Sequence, residues 1–571
     1  MAEPTPPSGI YQQSDATANT LTIPIPTSSQ TSITGTSEKP SPSSPEPEAP
    51  EWRPTTRLYI ILVTMCVVTL AAALDATSLS VALPIIAEKL KGSAIEAFWA
   101  GTSFLLCSTV FQPSFANLSN IFGRKPIILL GLVFFTAGSI IGGVANNFTV
   151  LLIGRSIQGV GGGGLIALTE IIITDVVPLR ERGKYFGFLS SMWALGSVCG
   201  PLMGGGFAEN VSWRWILYIN LPFCGIAFIL IPLFLNLKQR LESTREKIAR
   251  IDWVGTFLFV ASTTAVLIPI TWGGVMYEWD HWRTLVPLIL GFAGLIAFLI
   301  WEIYGAQDPL IELQVFMNRT SAVNYIGTVM HGIILWCLLY FLPLYFETAK
   351  NLSPTKSGIA LFPQTFTVAP ASILVGILVT ITGRFRWALW TGWTLTTLGV
   401  GLMYLIDVNT PTVEWVFINL VGGLGTGMLF PSMAFAIQAA ATDENMATAV
   451  AMFSFLRAFG QSFGVAIGGV IFQNAMLKEL RNVPALRDMA GEYAKDAAAL
   501  VQIVKVMPKG EVRDSLVQCY ASALKIVWIS LVAFAVVGGV ASLATEGLEL
   551  DRVLNTQQGL REKKKDEGEE A

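Results

Sequence analysis

The chain has 571 residues, 52% of them hydrophobic and only 13% charged, with a net charge of -3 from 37 basic and 40 acidic side chains. A mean hydropathy of +0.57 lies outside the range of soluble globular domains, and the basic residues form no single patch, so a soluble enzyme and a nucleic-acid partner are excluded. The composition predicts an all-α polytopic membrane protein.

Residues 1–56 are rich in Ser, Thr, Pro and Glu and read as a disordered cytoplasmic tail. No signal peptide precedes the first apolar span, which is expected to act as its own insertion signal. Stretches of about 20 apolar residues, enough to cross a bilayer, lie near 58–86, 96–118, 126–145, 149–173, 184–208 and 214–237. A polar connection leads to spans near 253–272 and 284–304, then to six more near 321–346, 357–381, 387–406, 412–437, 447–474 and 523–545, fourteen in all. The predicted organisation is an N-terminal six-helix bundle (57–237), a linker with two inserted helices (238–304), a C-terminal six-helix bundle (305–546) with a long outer loop (475–522), and a charged cytoplasmic tail (547–571). Placing the N-terminus inside puts Arg124, Lys125, Arg180, Arg182, Lys184, Lys238, Arg240, Arg384 and Arg386 in inner loops, as the positive-inside rule asks. The basic outer loop 475–522 is the exception.

An internal repeat supports this count. Gly159, Gly161 and Gly163 recur as Gly423, Gly425 and Gly427, and Gly196, Gly200 and Gly204 recur as Gly460, Gly464 and Gly468, both at an offset of 264. Gly123-Arg124 recurs as Gly383-Arg384 at 260. A shift of eight spans preserves direction, so the halves are expected to be parallel repeats that rock about a central site.

Ionisable residues inside spans are the first functional candidates, because a charge at mid-membrane costs about 3 kcal/mol or more unless it faces a cavity or a partner. Asp75 lies past the middle of span one and reads either as a proton carrier or as a structural carboxylate. Arg155, entering span four, is its candidate partner or else a snorkelling residue. His331 lies about one turn from the repeat counterpart of Asp75. With Arg457, Trp336 and Tyr340 it is a candidate for lining a substrate cavity, against the alternative of ordinary packing. Glu170 and Asp175 could pair with Arg182 or Lys184 as a cytoplasmic latch; solvated helix-end charge is the alternative. The run from Gly196 to Gly206 holds Gly196, Gly200 and Gly204 on one helix face beside Pro201 and Gly205, which reads as a hinge or as a close-packing seam. The six cysteines show no paired spacing, and His281 and His331 are the only histidines, so neither a disulfide framework, a metal centre nor a cofactor is expected.

Five segments then resemble the major facilitator superfamily, and within it the fourteen-span drug:proton antiporters. They are Leu74-Asp75-Ala76-Thr77 running on to Val81-Ala82-Leu83-Pro84; Arg155-Ser156-Ile157-Gln158-Gly159-Val160-Gly161; the Gly196–Gly206 run; Trp213 to Pro222; and Tyr340 to Phe346. The resemblance implies a proton-coupling role for Arg155, an antiporter motif at Gly196–Gly206, and a conformational switch in the loop Ala116 to Lys125. That loop departs from the family pattern, since Asn120 stands where an acid is usual, beside Gly123 and Arg124. Asn120 can cap a helix but cannot form an ion pair, which puts the latch in question. The segment Thr174 to Lys184 and the Ser/Pro-rich tail resemble fungal members that export drugs, toxins or secondary metabolites. The resulting expectation is a monomeric efflux antiporter that uses protons and no cofactor, with amphipathic small molecules as substrates and the plasma membrane as its location. The rivals are a vacuolar carrier of basic amino acids with the same fold, a transporter-like receptor and a membrane enzyme.

Overall fold

The computed structural model describes residues 53–79, 82–92, 94–238, 242–274, 276–494, 497–552, 556 and 558–560. The N-terminal tail, Ser80 and Val81 of the first-span signature, and residues 561–571 lie outside the described residues.

Each predicted apolar stretch contains a helix among the described residues. The N-terminal half contains α1 (Thr56–Ser78), α2 (Ala94–Phe122), α3 (Arg124–Gly143), α4 (Phe148–Val176), α5 (Arg182–Asn210) and α6 (Asn220–Phe234). Two helices follow, α7 (Trp253–Trp272) and α8 (Trp282–Tyr304). The C-terminal half contains α9 (Arg319–Thr348), α10 (Phe362–Thr382), α11 (Arg386–Leu402), α12 (Thr412–Ala440), α13 (Met446–Asn482) and α14 (Glu511–Ser542). Among the described residues, twelve helices are long and apolar enough to cross a membrane, and α2 and α11 are not among them. The reasons differ: α2 carries the buried polar residues Ser103, Ser108, Gln112 and Ser114, whereas α11 has only 17 residues before a 3-10 turn continues it.

Local chemistry sets the ends. Asn147 caps α4 by accepting the Val150 amide at 2.9 Å, and Pro178 follows its last turn. The repeated loop glycines Gly123 and Gly383 both have positive φ, 95° and 65°, a backbone region that penalises any side chain; this is why the pair recurs. Three predicted boundaries shift. The first span ends at Ser78, and Pro84 opens a separate short helix, Leu83–Lys89. Helix α13 runs on to Asn482 and α14 begins at Glu511, so much of the predicted outer loop is helical. Polar and basic residues end a hydropathy signal without ending a helix, because outside the hydrocarbon they are solvated.

The packing repeats with the eight-span shift. The pairs α1–α5, α2–α4, α3–α4 and α1–α6 have counterparts in α9–α13, α10–α12, α11–α12 and α9–α14. The bundles meet through α5 on α10 and α2 on α13, which are themselves repeat-related. Helix α7 packs on α8, α2 and α13, while α8 turns Leu285, Ile289, Phe292 and Ile296 outward, an apolar surface suited to lipid.

Candidate functional site

The glycine ladders position the first charged centre. A methyl group at Gly196, Gly200 or Gly204 would collide with Ala73, Thr77 or Ser78, so only glycine lets α5 lie against α1. The Thr77 hydroxyl also donates to the Gly196 carbonyl at 3.0 Å. This clamp fixes the stretch of α1 that carries Asp75. Asp75 is fully buried, and its carboxylate accepts from Arg155 Nη1 at 2.6 Å, Gln158 Nε2 at 2.8 Å and Asn220 Nδ2 at 2.8 Å. Arg155 also donates to the Ala100 carbonyl and to Gln158 Oε1, and its guanidinium lies 4.5 Å from the Phe104 ring centroid. Gln158 donates in turn to Ser139 at 2.7 Å. The expected pair is therefore present, inside a network whose amides, Gln158 and Asn220, sequence reasoning did not single out. Both stood within quoted motifs, and a buried amide on a span was the available signal.

In the C-terminal bundle Gly460 packs on Val329 and Gly464 on Ile333, as Gly196 packs on Ala73 and Gly200 on Thr77. Asp75 lies midway between Ala73 and Thr77, and His331 midway between Val329 and Ile333. His331 is thus the counterpart of Asp75 itself, a correction of one turn to the sequence offset. Its Nε2 lies 3.1 Å from the Thr426 carbonyl, and Nδ1 has no partner among the described residues.

Between the bundles lies a central cavity of about 70 Å³ with an open mouth. Its walls are mainly apolar, with Ile166, Leu189, Trp193, Leu335, Leu339 and Phe430; Ser190, Ser197, His331 and Thr365 add polar edges, and Glu170 and Arg457 add charge. His331 and Arg457 line it. Trp336 and Tyr340 do not: His331, Leu335 and Leu339 share one face of α9, which turns Trp336 and Tyr340 away, Tyr340 to an exposed position. The Glu170 carboxylate accepts from Arg457 Nη2 at 3.3 Å and from the Ser454 hydroxyl. The Arg457 guanidinium lies 4.6 Å from the Phe430 ring centroid. Glu170, expected at the cytoplasmic latch, is thus a second buried acid inside a span beside Asp75.

The end of the bundles carrying the basic loops is sealed. Gly183 and Gly376 meet backbone to backbone, Gly187 lies against Ile373, and Ser190 and Ser372 hydroxyls lie 3.2 Å apart. This seam joins the bundles, whereas the Gly196 ladder works inside one bundle; the spacing Gly183-x-x-x-Gly187 was the signal for it. The expected latch pairs are rearranged. Asp175 pairs with Arg124 at 2.7 Å, not with Arg182 or Lys184. Arg182 donates instead to the Val177 and Thr174 carbonyls and to Gln438, and Lys184 pairs with Glu181. Glu170 faces the cavity, too deep in α4 to reach either base. Asn120 accepts from Arg124 at 2.6 Å, and Ser119 accepts as well, so the charge that Asn120 lacks is supplied by Asp175.

The C-terminal segment completes this end. Leu550 is buried against Leu179, Val379 and Phe435, Asp551 pairs with Arg180 at 2.8 Å, and Thr556 donates to Asp175 at 3.0 Å. Gln558 accepts the Arg124 amide and donates to the carbonyls of Ser119 and Asn120. A polar cleft beside it holds Glu312, whose carboxyl is pushed up by burial and by the charges of Glu444 and Asp308.

Two parallel helical bundles around a mid-span cavity, sealed at one end by an inter-bundle seam, define a polytopic membrane protein with a two-bundle transporter architecture. The chain belongs to the Major Facilitator Superfamily, whose sequence model matches residues 65–306 and 324–477. It is 55% identical over 518 residues to the MFS transporter L2 of Phoma sp., covering 91% of this chain and 87% of that protein. It is 39% identical over 528 residues to the MFS-type efflux pump LUC4 of Fusarium sp., covering 90% and 93%. In fold it resembles the proton:xylose symporter XylE bound to 6-bromo-6-deoxy-D-glucose, with a TM-score of 0.52 at 13% identity over 85% of this chain and 94% of that one.

Proposed function

We propose that this protein is a proton-driven antiporter that exports amphipathic small molecules, drugs, toxins or secondary metabolites, across the plasma membrane as a monomer with fourteen spans. The observation that carries this reading is the central cavity: apolar and aromatic walls with a few polar groups suit a ligand that is mostly hydrophobic and carries scattered hydrogen-bonding atoms. The relative named an efflux pump supports the direction of transport. The basic end then faces the cytoplasm, as the positive-inside rule predicts. Proton coupling needs a buried acid, and two qualify, Asp75 with Arg155 and Glu170 with Arg457. A carrier of basic amino acids would need surplus negative charge in the cavity, but Glu170, its lining acid, is balanced by Arg457.

The test uses inside-out vesicles with an acidic lumen and rhodamine 6G as the probe. Each pH unit supplies about 1.4 kcal/mol, or tenfold accumulation for a one-to-one exchange. Accumulation that disappears when nigericin collapses the gradient is expected. Equal dye content with and without the gradient, across a panel of amphipathic dyes, would refute proton-driven efflux.

A further inference from the structure

We propose that Glu170, and not Asp75, is the acid whose protonation moves the bundles, and that it acts through its ion pair across the cavity with Arg457. This rests on the proton-driven exchange proposed above.

A proton can shift a conformational equilibrium only if the two conformations bind it differently. Asp75 fails that condition on geometry. Its partners Arg155 and Gln158 lie on α4 and Asn220 on α6, all in its own bundle, so rigid rocking carries the whole network along unchanged. Glu170 meets the condition. It projects from α4 of one bundle, while Arg457 and Ser454 project from α13 of the other. Separating the basic end pulls α13 away from α4 and takes both partners with it.

Arg457 and His331 are the titratable or charged groups that share the cavity with Glu170; Thr69, Ser190, Thr365 and Thr426 from the other walls are uncharged. Asp175, further along α4, belongs to Arg124 at the sealed end. His331 Nε2 is held by the Thr426 carbonyl, so the pair that spans the bundles is Glu170 with Arg457.

The step balances simply. With the basic end sealed, ionised Glu170 ties the bundles together. A proton arriving through the open mouth adds to a carboxylate oxygen, cancels the charge and removes the attraction to Arg457, which stays over Phe430. The basic end then opens, and the proton leaves Glu170 on that side. Arg457 is left to a substrate acceptor, and resealing requires Glu170 to be ionised again. Protonation therefore favours the open basic end, which is the sign an exporter driven by an inward proton gradient needs.

The test is the distance between spin labels at the basic end, on cysteines replacing the exposed Pro126 and Thr382, in a background without native cysteines. Lowering the pH from about 8 to about 5 should raise the open-to-closed ratio of the parent about tenfold, within the usual range of allosteric coupling. Glu170→Gln/Arg457→Gln removes both charges together, leaving no buried charge unpaired; it should be open-biased at both pH values and lose the response. Glu170→Asp should keep it, as should Asp75→Asn/Arg155→Gln. The proposal is overturned if the Glu170/Arg457 variant responds like the parent, or if the Asp75/Arg155 variant does not respond. The readout needs no substrate, so a failure of dye transport would remove the efflux reading separately.

Discussion

The two bundles share one backbone plan and differ in what they bury at its centre. In the N-terminal bundle the position beside the glycine ladder is Asp75, answered by Arg155 and closed by Gln158, Asn220 and Ser139. In the C-terminal bundle it is His331, and the residue one turn before Gly423, matching Arg155 before Gly159, is Asn419. There the buried groups are neutral and incompletely paired: both polar atoms of Gln364 and of Asn419, and His331 Nδ1, have no partner among the described residues. The Asp75–Arg155 pair stiffens its bundle, since a distortion that parts it exposes a charge, even though Asn220 Oδ1 has no partner among the described residues. The same plan thus places a charge pair at the centre of one bundle and neutral groups at the centre of the other, of which His331 lines the cavity.

The largest effect that could break this comparison is removal of one charge. Asp75→Ala leaves Arg155 buried without its counter-ion and should cost about 3–5 kcal/mol. His331→Ala removes one hydrogen bond to a carbonyl and should cost about 1 kcal/mol. Thermal unfolding of detergent-purified protein measures both, and equal losses would show that the N-terminal network is not the stiffer one.

Packing gives a second contrast, of intermediate size. Gly200 and Gly376 both sit where a methyl group would strike another helix, but Gly200 faces α1 inside a bundle and Gly376 faces Gly183 across the seam. Gly200→Ala should destabilise the fold by about 1–3 kcal/mol, the usual cost of overpacking. Gly376→Ala should leave the unfolding temperature nearly unchanged and open the basic end, read as faster alkylation of a cysteine replacing Ser190. A melting loss equal to that of Gly200→Ala would place both glycines in folding alone.

The architecture was legible because hydropathy, glycine spacing and loop charge are each periodic along the chain and survive without coordinates. The Asp75–Arg155 pair was legible for a related reason: a charge in an apolar span must find a partner, and few are available. The partners of Glu170 and Asp175 were not. Both acids lie near the end of α4, where several cations come within reach, and the choice depends on helix rotation. Rotation sends Arg182 to the Val177 and Thr174 carbonyls, turns Glu170 toward α13, and leaves Asp175 to Arg124. Trp336 and Tyr340 misled for the same reason, since an aromatic run on a fully apolar helix carries no mark of which face meets the cavity. The docking of Gln558 on Arg124 was beyond reach, because nothing local in a charged tail encodes a contact with a loop more than 400 residues earlier.

The smallest effect lies at the other end of the C-terminal bundle, which does carry ion pairs, but at its rim. Asp407, in the loop before α12, pairs with Lys525 of α14 at 2.5 Å and accepts from Gln518 at 3.0 Å, while Lys350 donates to the carbonyls of Asp407, Val408 and Thr410. Partial burial alone would raise the Asp407 carboxyl; the hydrogen bonds from Lys525, the Val408 amide and Gln518 outweigh it and hold the group below its ordinary value. A depressed carboxyl contributes stability that is fully present above the unfolded value of about 3.9 and is lost as the pH falls through the lower folded value. The pair is solvated, so its worth is that of a surface ion pair, about 0–1 kcal/mol. Asp407→Asn should therefore lower the unfolding temperature by about 2 °C or less at pH 7, and by less still in acid, where the parent has itself lost the charge. A loss as large as that of Asp75→Ala would mean that the rim is as rigid as the buried centre of the other bundle. Charge would then not divide the two halves in the way their buried residues indicate.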